Sequence, residues 1–366
     1  MPSSSSKSSK PKPSEVASET KKVYIPHIRR ELAQKWPIYS YIYHQPTLLP
    51  LQERGRDISP PQFYVSHGDP VDTALAWVAQ TQAPIPFICA ANDRRPGGDW
   101  ETGAVGYEER LCRRSTLAAN LSTPPNGAPL TDHYPIPVCG GIMSRDVGEL
   151  LHPTLDPRRD ILSLTVPLVV FRGPHDKYEK LPEEQWQSLP VVSVPPPRWP
   201  KLTSGGTKYS FTNEREMVKD KLRVALSIVA YEGFECVVIG DFGLGNGYRN
   251  PPTELAELWR EVLLYDPNLR GRFRWVVFVF EDLHQSTEQL ILDDLAKKAK
   301  GGSSSSSSKS KSKSSSPSSS SRASSSSSSN CQTDYQIFQT IFESNAIQHH
   351  LAKRDARYGI SNLLTS

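Results

Sequence analysis

At 366 residues the chain is long enough for one large domain or two small ones. Hydrophobic residues make up 37% of it and the mean hydropathy is −0.49, so Ser-rich stretches dilute a body that must be richer than the average. The formal net charge of +4 owes much to Lys-Ser tracts near both ends, which leaves a near-neutral body and gives bulk charge no case for nucleic-acid binding.

In chain order, residues 1–22 are Ser, Lys and Pro with little to bury, and disorder is expected there. The stretch has no apolar centre and so does not read as a secretory leader. Helices are expected over 28–36 and 72–80. Short apolar runs at 87–91, 168–171, 191–194, 236–239 and 275–280 read as strands, several without polar alternation, as strands buried on both faces are. Pro195-Pro196-Pro197 holds the chain extended after the third of these. Val218, Leu222, Ala225, Leu226 and Val229 make one helical stripe. Leu255, Leu258, Trp259, Val262 and Leu263 make another, behind Pro251-Pro252 at the place where proline suits a first turn. Strands alternating with helices predict an α/β fold with a parallel or mixed sheet covered on both sides, spanning 23–299.

The tract 300–330 is nearly all Ser and reads as a disordered linker, with a flexible tether as its plainest use. Beyond it, Ile337, Phe338, Ile341 and Phe342 have helical spacing, so 331–366 is expected to hold a helical segment that docks on the domain or on a partner. No apolar run approaches the roughly 18 residues of a membrane span. Cys89, Cys112, Cys139, Cys236 and Cys331 are scattered without a CxxC pair, which argues against a disulfide framework or a zinc site and fits the cytoplasm or nucleus. His175, His284 and the His349-His350 pair show no metal-ligand spacing. No metal and no cofactor are expected, and the chain is read as a monomer with no membrane partner.

Two strand-to-helix junctions carry the candidate chemistry, since α/β sheets bind ligands beyond the carboxyl ends of their strands. The first runs from Cys89 through Asn92, Pro96-Gly97-Gly98-Asp99 and Tyr107-Glu108-Glu109 to Cys112. The second is Gly240-Asp241-Phe242-Gly243-Leu244-Gly245-Asn246-Gly247-Tyr248-Arg249-Asn250, followed by two prolines and a helix. Gly243, Gly245 and Gly247 would let backbone approach an anion, with free N–H groups pointing at it. Either loop alone reads as an ordinary tight turn; together they say more.

The first loop resembles the signature of the microbial-type poly(ADP-ribose) glycohydrolase domain, a macrodomain-like family. The likeness rests on Ala91-Asn92, Pro96-Gly97-Gly98, Glu108-Glu109 and Leu111-Cys112-Arg113-Arg114-Ser115-Thr116-Leu117. The second loop resembles that family's diphosphate-binding loop, and 191–197 resembles a further segment, so the likeness covers about 28–280. Asp99 stands where the family has a third glycine, and Tyr107 where it has Gln. These departures bear on chain-length preference and on turnover; a ribose hydroxyl, Arg94, Arg95 or Arg249 could take up the Asp99 carboxylate.

The resemblance implies a macrodomain-like three-layer fold and hydrolysis of O-glycosidic bonds in ADP-ribose polymers or ADP-ribosylated macromolecules. It makes Glu109 the acid at the leaving ribose oxygen and the helper of attacking water, with a raised pKa expected in a closed cleft. It gives ribose hydroxyls to Glu108, the distal ribose to Asn92, and ligand contact to Gly97, Gly98, Asp99 and to Gly243, Leu244, Gly245, Asn246, Gly247 and Tyr248. The plain alternatives are surface i,i+4 pairs for Glu108, Glu109 and Arg113, a turn for Asn92 and a half-exposed loop tyrosine for Tyr248. Cys112 reads as a buried helical cysteine. A binding module that has lost turnover is the second functional reading, against which both glutamates stand. A Rossmann-type dinucleotide enzyme is the third, weakened because the Gly-rich loop follows a late strand.

Overall fold

The structure is a computed structural model that describes residues 10–51, 59–81, 83–129, 132–144, 168–301 and 331–354. Its strands are β1 (Tyr41–Tyr43), β2 (Gln62–His67), β3 (Phe87–Ala90), β4 (Gly141–Ser144), β5 (Leu168–Val170), β6 (Gln187–Leu189), β7 (Val191–Val194), β8 (Cys236–Ile239) and β9 (Trp275–Phe280). Its helices are α1 (Pro13–Glu19), α2 (Ile25–Glu31), α3 (Pro70–Thr81), α4 (Tyr107–Arg114), α5 (Leu117–Leu121), α6 (Thr212–Tyr231), α7 (Pro252–Tyr265), α8 (Thr287–Gly301), α9 (Asp334–Phe342) and α10 (Ser344–Arg354).

Seven strands form one mixed sheet in the order β1-β4-β7-β3-β8-β9-β2. From β7 to β2 the neighbours run parallel, while β4 is antiparallel to both β7 and β1. The unbroken apolar runs follow from burial on both faces. Along β8 and β9, Val237, Ile239, Val276, Phe278 and Phe280 pack on one side with α6, α7 and α9. Their alternates Val238, Val277 and Val279 pack on the other side with α3, α4 and α5. The result is the three-layer α/β fold expected. The stripes read at 218–229 and 255–263 lie within α6 and α7.

Three expectations change. Disorder over 1–22 gives way at Pro13, where a helical segment begins and runs through a π turn (Thr20–Tyr24) to Glu31. Val16, Ala17 and Thr20 are buried there, and the Thr20 hydroxyl donates to the Arg113 carbonyl at 2.8 Å. Composition hides this narrow face because only a few small residues build it. Residues 1–9 and 302–330 lie outside the described residues, as do 355–366. The helix read at 28–36 is instead the last turn of α2, with Trp36 reached by a further turn. The run at 168–171 leaves the main sheet: β5 pairs antiparallel with β6 in a sheet of its own. It reads as a core strand because Leu168 and Val170 face one cluster while Val169 and Phe171 face another that contains Ile28 and Trp36.

The C-terminal segment docks. Thr333 and Gln336 cap α9 reciprocally, and Phe338 and Phe342 pack against Phe278 with ring centroids 5.1 and 4.5 Å away. No described helix is long and apolar enough to cross a membrane.

Candidate active site

Strands β3 and β8 are parallel neighbours, with Phe87 opposite Val238 and Ile88 opposite Ile239. Both candidate loops therefore leave from the carboxyl ends of neighbouring strands, on the same side of the molecule. The Tyr248 hydroxyl closes the gap by donating to the Ala90 carbonyl at 3.4 Å, and the Arg198 guanidinium lies 5.2 Å over the Tyr248 ring.

In the first loop Asn92 makes the turn itself: its Oδ1 accepts the Arg94 and Arg95 N–H groups at 2.9 and 3.1 Å. Its Nδ2 remains on the side of Gly98. Gly97 (φ +71°) needs its freedom and its lack of a side chain, since a Cβ would come within 2.8 Å of Cys112 Sγ and of the Trp100 ring. Arg113 is fully buried beneath the loop. It is not one half of a surface pair; its Nε and Nη2 donate to the carbonyls of Trp100 and Thr102 at 2.8 and 2.9 Å. Arg95 takes up the Asp99 carboxylate. Tyr107 lies against Arg110, whose guanidinium is 4.4 Å from the ring centre.

The two glutamates diverge, as successive helical positions must. Glu108 is 2% exposed and accepts the Asn92 N–H at 2.7 Å and the Gly97 N–H at 3.3 Å. Burial outweighs these bonds and, with the Glu109 charge adding to it, pushes the Glu108 carboxyl up to about 8. Glu109 is half-buried at the rim and accepts the Asp99 N–H at 3.4 Å. Its carboxylate fills the space over two glycines: a Cβ on Gly98 would lie 2.6 Å from Oε1, and one on Gly106 would lie 2.1 Å from Oε2.

In the second loop Gly243 and Gly245 hold φ of +82° and +72°, and Leu244 between them is buried as an anchor. Asn250 ties the loop down through its Nδ2, which donates to the carbonyls of Gly243 (2.8 Å) and Pro197 (3.0 Å), so the proline segment and the Gly-rich loop are clamped together. Not every N–H is free as expected. That of Gly245 donates to Thr287 Oγ1 at 2.7 Å. The N–H groups of Gly243, Asn246 and Gly247 have no acceptor among the described residues, and they offer an anion three donors.

Sequence reasoning missed several supports. Arg113 lies inside a recognised motif, but its role needs the loop carbonyls to be in place. Thr287 and Gln285 come from beyond β9 and carry no local signal. Asp241, at the end of β8, accepts from the Gln285 amide at 3.2 Å, and burial raises its carboxyl to about 7. Asp69, His175 and Glu281 also converge, with His175 Nδ1 3.1 Å from Glu281 and 3.7 Å from Asp69. Their spacing would suit a cation, yet Arg110 lies 2.6 Å from Glu281 and Arg114 lies 2.9 Å from Asp69. Two guanidiniums already balance those carboxylates, so the cluster is best described as an ion-pair network beside the cleft.

Residues 14–132 match the family model for the microbial-type PARG catalytic domain. Among solved structures the chain is similar to a poly(ADP-ribose) glycohydrolase from Thermomonospora curvata, at 18% identity and TM-score 0.53, covering 77% of this chain and 98% of that one. The same protein bound to the inhibitor ADP-HPD gives 18% identity and TM-score 0.51, over 78% and 98% of the two chains. A poly(ADP-ribose) glycohydrolase from Deinococcus radiodurans in complex with ADP-ribose matches at 19% identity and TM-score 0.47, over 73% and 98%. The comparison with curated proteins gives no match. The Thermomonospora likeness establishes the fold, and the family match covers the loop that carries the glutamates.

Proposed function

We propose that this chain, which resembles the microbial-type poly(ADP-ribose) glycohydrolases, hydrolyses the O-glycosidic bonds of poly(ADP-ribose) or of protein-linked ADP-ribose. One observation carries the reading. The loop that leads into α4 and Glu109 follows β3, the Gly-rich loop with its three unpartnered N–H groups follows β8, and these adjacent parallel strands send both loops out at their carboxyl ends, where Tyr248 bonds to the Ala90 carbonyl. An anion gripped by backbone donors there would hold the attached ribose next to a carboxyl group.

Glu109 protonates the departing oxygen as the C–O bond lengthens toward an oxocarbenium-like state, and its carboxylate then takes the proton of the water that attacks the anomeric carbon. Glu108 is the support. Its two oxygens hold the backbone at Asn92 and Gly97, and its burial at the centre of the loop fixes the helix that presents Glu109. With Asn92 Oδ1 used in the turn, its Nδ2 is the group left for a ribose hydroxyl. Tyr248 offers a ring face to the terminal ribose or adenine, and Asp99, neutralised by Arg95, no longer repels a diphosphate.

The test compares wild type with Glu109→Gln for release of ADP-ribose from ADP-ribosylated substrates, together with calorimetric titration by free ADP-ribose. Release by wild type alone, with binding by both, supports the enzyme. Binding without release by either supports a reader. Absence of binding removes both.

A further inference from the structure

Thr287 starts α8, and Asp334 starts α9 on the far side of the Ser-rich tract. Asp334 is fully buried, and its carboxylate is saturated from this one region. Oδ1 accepts the Thr287 N–H at 2.8 Å; Oδ2 accepts the Thr287 hydroxyl at 2.6 Å and the Gln285 amide at 2.9 Å. The Asp334 N–H returns a bond to the Gln285 carbonyl at 2.9 Å. Because the Thr287 hydroxyl has a single proton and gives it to Asp334, its lone pairs are left for the Gly245 N–H at 2.7 Å. The direction of the chain is fixed: Gly245 N–H to Thr287 hydroxyl to Asp334 carboxylate. The carboxyl oxygen at its end draws the hydroxyl proton away from the loop and leaves the oxygen's lone pairs aimed at Gly245. Gln285 adds a second contact, since it also donates to Asp241 at the loop's start and packs so closely on Gly245 that a Cβ there would meet Oε1 at 2.9 Å.

We propose that Asp334 is a positioning residue for the Gly-rich loop, so that the C-terminal segment is a working part of the ADP-ribose pocket and not only a cover for the sheet. The proposal rests on the reading that 243–248 receives the diphosphate. Asp334 touches no substrate; it fixes Gly245 through Thr287, and Gly245 sits between the free donors at Gly243 and at Asn246 and Gly247. With Asp334 removed, the hydroxyl is free to rotate and to offer its proton elsewhere, and the bond that ties the Gly245 N–H to the start of α8 loses its fixed acceptor.

The test uses the full chain and ADP-ribose, with Kd from calorimetry and Tm from scanning fluorimetry. Asp334→Ala and Thr287→Val each weaken binding about tenfold, the scale of one orphaned buried donor. Thr287→Ser, which keeps the hydroxyl, stays near the wild-type Kd. The double variant binds no worse than either single one, because both break the same chain. Phe342→Ala, which loosens α9 without touching the chain, lowers Tm and leaves Kd unchanged. If Asp334→Ala does not fold, the Thr287 pair decides: Val and Ser variants of equal affinity overturn the proposal. So do wild-type affinities in Asp334→Ala and Thr287→Val while the wild type binds normally. A wild type that binds no ADP-ribose instead overturns the functional reading beneath it, and the proposal with it.

Discussion

Glu109 and Gly106 share a space that holds only one of two groups. A methyl on Gly106 would lie 2.1 Å from Glu109 Oε2, so the glycine at the foot of α4 is what lets the carboxylate sit where it does. Gly106 has φ −63° and ψ 160°, an extended backbone open to any residue. The requirement is therefore for space and not for conformation.

Gly106→Ala is accordingly a clean displacement of Glu109. The backbone tolerates it, so Tm stays close to wild type, while the carboxylate must swing away. On the proposed role of Glu109 as the acid, kcat drops about a hundredfold, the scale of a misplaced catalytic group. A variant that keeps wild-type kcat would overturn the proposed role of Glu109 from its observed place. Gly98→Ala moves the same carboxylate but adds strain at φ +55°, so it loses stability as well.

Stability should fall as pH rises from about 5 to about 8, the range in which the Glu108 and Asp241 protons are lost. The sign follows from burial. Both carboxyls have folded-state pKa values, about 8 and about 7, above their ordinary values of 4.5 and 3.8. The folded state therefore binds more protons than the unfolded one in this range, and the stabilisation present below the ordinary values is lost as pH rises through the folded ones. Tm measured against pH reads this slope, and Asp241→Asn should flatten its part near pH 7. A Tm that climbs steadily over the same range would contradict it.

Arg113→Ala should destabilise the protein by about 3 kcal/mol, because it strands the Trp100 and Thr102 carbonyls that the buried guanidinium serves. Urea unfolding measures the loss. Lys at this position has one nitrogen for two separated carbonyls, and it should recover only part of it.

Phe338→Ala should cost about 3–5 kcal/mol, as a large ring removed from a packed core does. The exposed neighbour Gln339 changed to Ala should leave Tm within a degree or two. Equal Tm values for the two variants would mean that α9 does not pack on β9 in solution.

What the sequence determined by itself was local. Burial on both faces wrote the Val and Ile runs of β7, β8 and β9, helical spacing wrote α6 and α7, and the Gly-rich junctions marked where ligands approach. Resemblance then singled out Glu108 and Glu109 within one short motif. It could not say which carboxylate lies beneath the loop and which lies at its rim, because that depends on the backbone N–H groups of Asn92 and Gly97 having been folded over Glu108. The helical start at Pro13 escaped for a related reason: the buried face of α1 and the π turn after it is Val16, Ala17 and Thr20, too small to lift a Ser- and Lys-rich composition. The β5 run was readable as a strand, but its sheet was not, since pairing depends on which apolar faces remain uncovered. Only the tertiary structure joined Gly245 to Thr287 and Thr287 to Asp334, over separations of 42 and 47 residues. Hydrogen bonds between distant segments leave no periodicity behind them, because each needs only one polar side chain at the right place and nothing in its neighbours.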